Sequence, residues 1–234
     1  MPGFEYAIAL GVDALEFDVV VTKDDVVVVS HDGGMNPKFC RGPAGPTVIR
    51  ELSFEELGKW DCGAVANPDF PKQKAMPGMR VPTLDEVLAL AARGEFDFHI
   101  EIKTAPDIDL FAKLVWEQIC NHKIHARVAV LSFDFRALHA MKRLDPSMRL
   151  CALYEEGNRD YPSIAREAGA SIVSPHYETV TSQKVSDAHE AGLQVVAWTA
   201  NTPAVWDKLI LANVDAIVTD DPAGLIAYLR AKRS

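Results

Sequence analysis

The feature that most constrains the fold is a regular alternation of short apolar runs and amphipathic segments. Five apolar runs begin at residues 128, 150, 171, 194 and 215, so successive runs start 22, 21, 23 and 21 residues apart. Each run is nearly continuous in apolar residues, as expected for a strand that is covered on both faces. Helical patterns separate the runs. This alternation predicts βαβ units around a parallel sheet.

Seven strands of this kind can be recognised along the chain. They are predicted at residues 14–22, 96–103, 128–132, 150–154, 171–175, 194–198 and 215–219. An open doubly wound sheet is disfavoured because no glycine-rich phosphate loop follows any of these runs. The spacing favours a TIM-type (β/α)8 barrel, which requires eight strands. We therefore expect an α/β barrel from which the first strand is missing, so that seven βα strands are present.

Residues 33–82 interrupt this alternation. They hold 7 of the 14 prolines and form one short helical pattern, in which Ser53 and Glu56 have the spacing of a capping box. We interpret this stretch as an excursion inserted after the first strand pair, within a single domain that spans residues 1–234. An accessory domain, a substrate lid and a dimer contact are all compatible with it.

Composition and charge exclude several classes of protein. Of the 234 residues, 48% are apolar, which is enough to bury one large core. The formal net charge is −9 and no basic run occurs, so nucleic-acid binding is not expected. No segment approaches the ~18 apolar residues of a membrane span. The first residues lack a secretory signal, which predicts a soluble, cytoplasmic protein unless the true start lies upstream.

The four cysteines do not form a CxxC motif, which argues against a structural zinc site. Cys120 and Cys151 are predicted to be core thiols. Cys40 and Cys62 both lie in the loop-rich excursion, where the possibility that they form a disulfide stays open.

The first predicted strand carries two acids on one face. Because alternate residues of a strand share a face, Glu16 and Asp18 point together into the barrel, while Leu15 and Phe17 point toward the outer helices. Two carboxylates in such an interior are tolerable when a cation joins them. An internal salt bridge to a basic residue of another strand is the alternative.

The strand predicted at 96–103 adds to this arrangement. It places His99, Glu101 and Lys103 on one face, with Lys103 nearest the carboxyl end, where barrel enzymes have their active sites. Glu101 is a candidate third ligand, and three carboxylates suit a hard cation such as Mg²⁺ or Ca²⁺. Lys103 suits an anionic substrate. For His99, a core position and a site position are equally compatible with the pattern.

The histidines differ in their position relative to the predicted strands. His31, followed by Asp32, ends an apolar run and begins a loop, so it can act as a general acid or base. His176 follows another strand and is a candidate for the same site. The remaining histidines, which fall on helix or loop patterns and are predicted to lie at the surface, are His122, His125, His139 and His189.

Together these motifs resemble the glycerophosphodiester phosphodiesterase family, whose pattern is His-Arg, then Glu-x-Asp, then His-Asp. The matching stretches are "LEFDVVVTKDDVVVVSHD", "PTLDEVL", "IEIK", "VVAWTAN" and "VDAIVTDDP", and the resemblance extends from about residue 4 to the C-terminus. It implies a (β/α)8 barrel with an inserted segment after the first His-Asp. It also implies metal-dependent hydrolysis of a glycerophosphodiester, a small-molecule substrate, to glycerol 3-phosphate and an alcohol.

The resemblance also implies roles for individual residues. Glu16, Asp18 and Glu101 match the ligands of a divalent cation. His31 matches one of two catalytic histidines, and Lys103 matches the lysine that contacts the phosphate. Trp198 matches an aromatic residue that lines the substrate pocket, although ordinary barrel packing is an alternative for it.

The sequence departs from the family pattern at its beginning. The His-Arg motif, which the family carries on the first barrel strand, does not occur before residue 4. This gives the hypothesis that Met1 is an internal methionine and that hydrolysis is impaired in this chain. Two alternatives stay open: a non-catalytic barrel that binds a phosphodiester or a partner, and a barrel lipase of the sphingomyelinase D type.

Overall fold

The computed structural model describes residues 1–38, 40–67 and 73–233. Two prolines of the predicted excursion, Pro68 and Pro71, lie outside the described residues. The described part of the chain contains one curled sheet in the order β2-β1-β3-β4-β5-β6-β7-β8. Its strands are β1 (Ala14–Val21), β2 (Val27–Val29), β3 (Asp97–Ile102), β4 (Val128–Ser132), β5 (Arg149–Tyr154), β6 (Ile172–Pro175), β7 (Gln194–Ala197) and β8 (Ala216–Ile217).

The seven strands of the predicted alternation pair in parallel, as expected for a barrel wall. These are β1 and β3 to β8, each bonded to its neighbour in chain order. The strand β2 is an addition that the alternation did not predict, and it pairs antiparallel with the end of β1. A tight turn produces this hairpin: Asp25 adopts a positive φ of 61°, and the Thr22 amide donates to the Val26 carbonyl.

Helices follow the strands on the outer side of the sheet. Those of the described residues are α1 (Pro2–Leu10), α2 (Phe54–Leu57), α3 (Leu84–Leu88), α4 (Ile108–His122), α5 (Phe135–Leu144), α6 (Tyr161–Ala168), α7 (Ser182–Glu190), α8 (Pro203–Leu211) and α9 (Pro222–Arg233). The predicted capping box of Ser53 and Glu56 forms at the start of α2. Gly169 ends α6 in the left-handed conformation that glycine adopts without a Cβ clash.

The outward side chains of the strands form the main core with these helices. On β1 the buried outward residues are Leu15, Phe17 and Val19, and Phe17 packs edge-on against Phe98 of β3. The inward side chains of β4 to β7 form a smaller apolar cluster, which includes Leu131, Cys151, Leu153, Ile172 and Val196. Polar chemistry inside the sheet is therefore concentrated on the β1 and β3 side.

The excursion has a hydrophobic core of its own. Ile49, Leu57 and Trp60 are buried there together with Val20 and Val28 from the β1–β2 hairpin. A disulfide between Cys40 and Cys62 crosslinks it, which settles the pairing that the sequence left open. Because Val20 lies on the same face of β1 as Glu16 and Asp18, this second core is next to the inner face of the sheet.

The two other cysteines differ from each other. Cys151 is buried, as predicted, and it lies on the inner face of β5. The prediction that Cys120 is a core thiol is wrong, because Cys120 is exposed. Its place near the end of α4, one residue after the buried Ile119, rotates its side chain away from the core. Within the described residues, no helix is long and apolar enough to cross a membrane.

Candidate active site

Three carboxylates meet on the inner face of β1 and β3. Glu16 and Asp18 point inward from β1, and Asp18 is the register partner of Glu101 on β3. One carboxylate oxygen from each residue lies within 4.8 Å of the others. Parallel pairing and strand alternation together produce this cluster, as the sequence predicted. Three oxygen donors at this separation can hold a divalent cation.

Lys103 lies against two of these carboxylates. Its Nζ is 2.6 Å from Asp18 Oδ1 and 2.7 Å from Glu101 Oε1, with only 8% of the Glu101 side chain exposed. These distances are those of charge-assisted hydrogen bonds. The internal salt bridge considered as an alternative to a cation is therefore present, and it involves the same residues as the candidate metal site.

Three acids crowded on the inner, concave face of the sheet change one another's pKa values. Glu16 is the most solvent-accessible of the three side chains. Its partial burial in the inner face, followed by repulsion from Asp18 and Glu101, nevertheless raises the pKa of Glu16 to about 8. Burial also raises the pKa of Glu101 to about 7, although the bond from Lys103 opposes this change. Burial lowers the pKa of Lys103, but its bonds to the two carboxylates outweigh burial and hold that pKa above the usual value.

His31 lies in the loop that follows β2, and the antiparallel register brings this loop beside Asp18 of β1. The Ser30 amide donates to the Asp18 carbonyl, which ties this loop to the strand that carries the acids. His31 Nδ1 is 3.0 Å from Asp32 Oδ1, and 78% of the His31 side chain is exposed. With Nδ1 directed at a carboxylate, Nε2 is left to exchange a proton.

Aromatic residues form another part of the rim at the carboxyl end of the sheet. The rings of His176 and Trp198 are 5.1 Å apart, and Phe133 contacts Trp198 edge-on at 5.5 Å. The indole Nε1 of Trp198 donates to the Ser174 carbonyl at 2.8 Å, which fixes the plane of the ring. His176 and Trp198 thus lie side by side, on strands across the sheet from β1.

The other histidines of the sequence analysis fall into two groups. His99 points inward beside the cluster, as the register partner of Glu16, and burial, followed by the charge of Arg149, lowers its pKa. The remaining histidines lie on the outer layer, and three of them pair with acids: His122 with Asp85, His125 with Asp145 and His189 with Asp215. His139 is exposed and contacts the Glu167 carbonyl.

Sequence reasoning did not single out Phe133, Asn201 and Asp220. Asn201 Nδ2 donates to Asp220 Oδ2 at 2.7 Å, and the Asp220 amide donates back to Asn201 Oδ1 at 2.8 Å. The charge of Asp220 contributes to the raised pKa of Glu16. Their position in the sequence could have identified Asn201 and Asp220, because each residue follows the carboxyl end of a predicted strand.

The curled parallel sheet defines an α/β-barrel protein. The acidic cluster and lysine inside the sheet, together with the histidine near its carboxyl edge, form a polar centre of the kind that hydrolases have. Comparison with known proteins narrows this class. The sequence model of the glycerophosphoryl diester phosphodiesterase family matches residues 1–224. The chain belongs to this family of phosphodiester hydrolases, as the motifs indicated.

Individual relatives and solved structures agree with this assignment. A glycerophosphodiester phosphodiesterase from Caldanaerobacter subterraneus subsp. tengcongensis is 31% identical over 231 residues, which are 97% of this chain and 90% of the relative. A candidate glycerophosphoryl diester phosphodiesterase from Silicibacter pomeroyi superposes with a TM-score of 0.88 at 29% identity, over 95% of this chain and 84% of that chain.

A third protein shares the fold at lower identity. It is a phosphodiesterase from Oleispira antarctica, solved in complex with the product sn-glycerol 3-phosphate. It superposes with a TM-score of 0.83 at 20% identity, over 97% of this chain and 90% of that chain. These likenesses confirm that the sheet is part of a barrel-type architecture.

Proposed function

We propose that this chain hydrolyses glycerophosphodiesters to glycerol 3-phosphate and an alcohol in a reaction that depends on a divalent cation. The observation that carries the proposal is the contact of Lys103 with Asp18 and Glu101 inside the sheet. A half-buried ammonium beside a three-carboxylate cluster provides both a cation site and a group that binds a phosphoryl oxygen. Family membership and the named relatives support the choice of substrate.

The residues present fit a divalent cation. Glu16, Asp18 and Glu101 offer three hard oxygen donors whose ligand atoms already lie within 4.8 Å of one another. Mg²⁺ and Ca²⁺ both take carboxylate oxygens together with water or substrate oxygens. When bound, such a cation neutralises developing charge on the phosphoryl oxygens.

The remaining roles fall to side chains of this chain. Lys103 holds a phosphoryl oxygen through a charge-assisted bond. His31, with Nδ1 directed at Asp32, moves a proton at Nε2, either from the attacking oxygen or to the leaving alcohol. Trp198 and His176, which contact each other on the rim, are proposed to bind the part of the substrate that lies beyond the phosphate.

In the described residues, β8 is a terminal strand of the sheet, and β1 pairs on its other side with β2 through Val19–Val21 only. A first barrel strand with the His-Arg pair of the family stays a prediction.

Product analysis tests the proposed function. The protein is incubated with glycerophosphocholine and with Mg²⁺, Ca²⁺ or EDTA, and products are identified by ³¹P NMR. We expect glycerol 3-phosphate in the metal-containing samples only. Turnover of sphingomyelin but not of glycerophosphocholine would indicate the sphingomyelinase D type instead. Substrate binding without turnover would favour the non-catalytic barrel.

A further inference from the structure

The loop after His31 contains a second polar contact that the proposed mechanism does not use. Asp32 receives bonds at both carboxylate oxygens: His31 Nδ1 lies 3.0 Å from Oδ1, and Asn36 Nδ2 donates to Oδ2 at 2.9 Å. Asp32 is therefore held between the imidazole and the amide of Asn36. The bonds from His31 and Asn36 also keep the pKa of Asp32 below its usual range.

Asn36 is itself fixed by the excursion. Its Oδ1 accepts the Lys38 amide at 3.0 Å, and its carbonyl accepts the Cys40 amide at 2.9 Å. Cys40 is buried and bonded to Cys62, so the far end of this turn is covalently anchored. The neighbouring Met35 amide donates to the Thr47 carbonyl at 2.7 Å. The position of Asn36 is thus set by the second core.

The exposure of His31 makes this support necessary. Of the side chains of His31 and Asp32, 78% and 42% are exposed. An ion pair that faces water gains little from Coulomb attraction and must hold two mobile side chains in one geometry. When an amide already holds one carboxylate oxygen, the side chain has fewer accessible rotamers. It therefore loses less conformational entropy when its other oxygen accepts a hydrogen bond from an imidazole.

We propose that Asn36 is a positioning residue which, through Asp32, holds His31 as the tautomer protonated at Nδ1. This inference rests on the proposed function. The bond leaves the Nε2 lone pair available for proton transfer, and it ties the orientation of the ring to the crosslinked excursion. The charged partner of the imidazole is Asp32 in the same loop, and the charge of Lys103 on β3 also helps to lower the pKa of Asp32.

The test measures the tautomer of His31 by ¹⁵N NMR of histidine-labelled, metal-free protein. It compares the wild type with Asn36→Ala and with Asn36→Leu, which keeps the side-chain volume without hydrogen bonds. Asn121→Ala, at an exposed position of α4, is the control. We expect the neutral wild-type imidazole to be mainly Nδ1–H. In both Asn36 variants the neutral imidazole should shift toward Nε2–H, whereas the control should keep the wild-type tautomer.

Steady-state kinetics of glycerophosphocholine hydrolysis add a second readout. For the Asn36 variants we expect kcat to fall about 10-fold while KM stays within about twofold, because misplacement of a proton-transfer group affects the chemical step. An unchanged tautomer in both folded variants, or a shifted tautomer with an unchanged kcat, would overturn the inference. The NMR measurement needs neither substrate nor metal, so a wild type that hydrolyses nothing would contradict the proposed function separately.

Discussion

Lys103 Nζ lies 2.6 Å from Asp18 Oδ1, so the candidate metal site contains a cation supplied by the chain itself. The ammonium makes a similar contact with Glu101. A divalent cation at this site would compete with Lys103 for the same carboxylate oxygens.

Replacing Lys103 with methionine should separate metal binding from catalysis. Loss of the competing ammonium is expected to tighten Mg²⁺ binding about 10-fold, since each charged contact at such a site is worth ~1–3 kcal/mol. The same change should lower kcat/KM by about 100-fold through loss of the phosphate contact. Isothermal titration calorimetry and initial rates give the two values. Lys113→Met on α4 is the control, and weaker metal binding by Lys103→Met would contradict the competition.

The stability of the metal-free protein should fall as the pH rises from about 5 to 8. The pKa of Glu16 is about 8 in the folded protein and near 4.5 when unfolded, so the folded state keeps this proton over that interval. Stability decreases with pH wherever the folded state binds more protons than the unfolded state. Urea unfolding at several pH values measures the slope.

Glu16→Gln removes this titration and should reduce that slope to the smaller part that comes from the raised pKa of Glu101, whereas Glu117→Gln on α4 should leave the slope unchanged. Mg²⁺ should reverse the trend, because the ion binds the deprotonated carboxylates. Equal slopes for the wild type and Glu16→Gln would show that the pKa of Glu16 is not raised.

Loss of the disulfide should destabilise the protein. Cys40 and Cys62 are separated by 22 residues. A crosslink that closes a loop of this length contributes about 3 kcal/mol to the free energy of unfolding. The double variant Cys40→Ala/Cys62→Ala should show this loss in urea unfolding, and Cys120→Ala, at an exposed free thiol, should not. Thiol titration of the denatured wild type should find only Cys120 and Cys151, and additional thiols would contradict the crosslink.

Several features of the site were predictable because they depend on local periodicity. Alternation along β1 places Glu16 and Asp18 on one face of the strand and Leu15 and Phe17 on the other. This division depends only on the strand pattern, not on the rest of the fold. Parallel pairing with β3 then brings Glu101 to Asp18. The repeat of strand and helix likewise predicted the seven parallel strands, because both faces of each strand must be covered.

Other features depend on contacts that no local pattern records. The second core joins Val20 and Val28 to Trp60, which is far away in sequence, so the place of the excursion beside β1 was not predictable. The link from Asn36 to His31 follows from the path of that loop. The prediction for Cys120 was wrong because a shift of one residue along a helix is enough to turn a side chain from the core to the solvent.

The most direct test of the central claim is the initial rate of glycerol 3-phosphate formation from glycerophosphocholine as a function of Mg²⁺ or Ca²⁺ concentration. It should be measured for the wild type, for Glu101→Gln and for the control Glu117→Gln. We expect a metal-saturable rate for the wild type and the control, and a rate at least about 100-fold lower for Glu101→Gln. Equal rates for the wild type and Glu101→Gln, or a wild-type rate that EDTA does not reduce, would contradict metal-dependent hydrolysis at the carboxylate cluster.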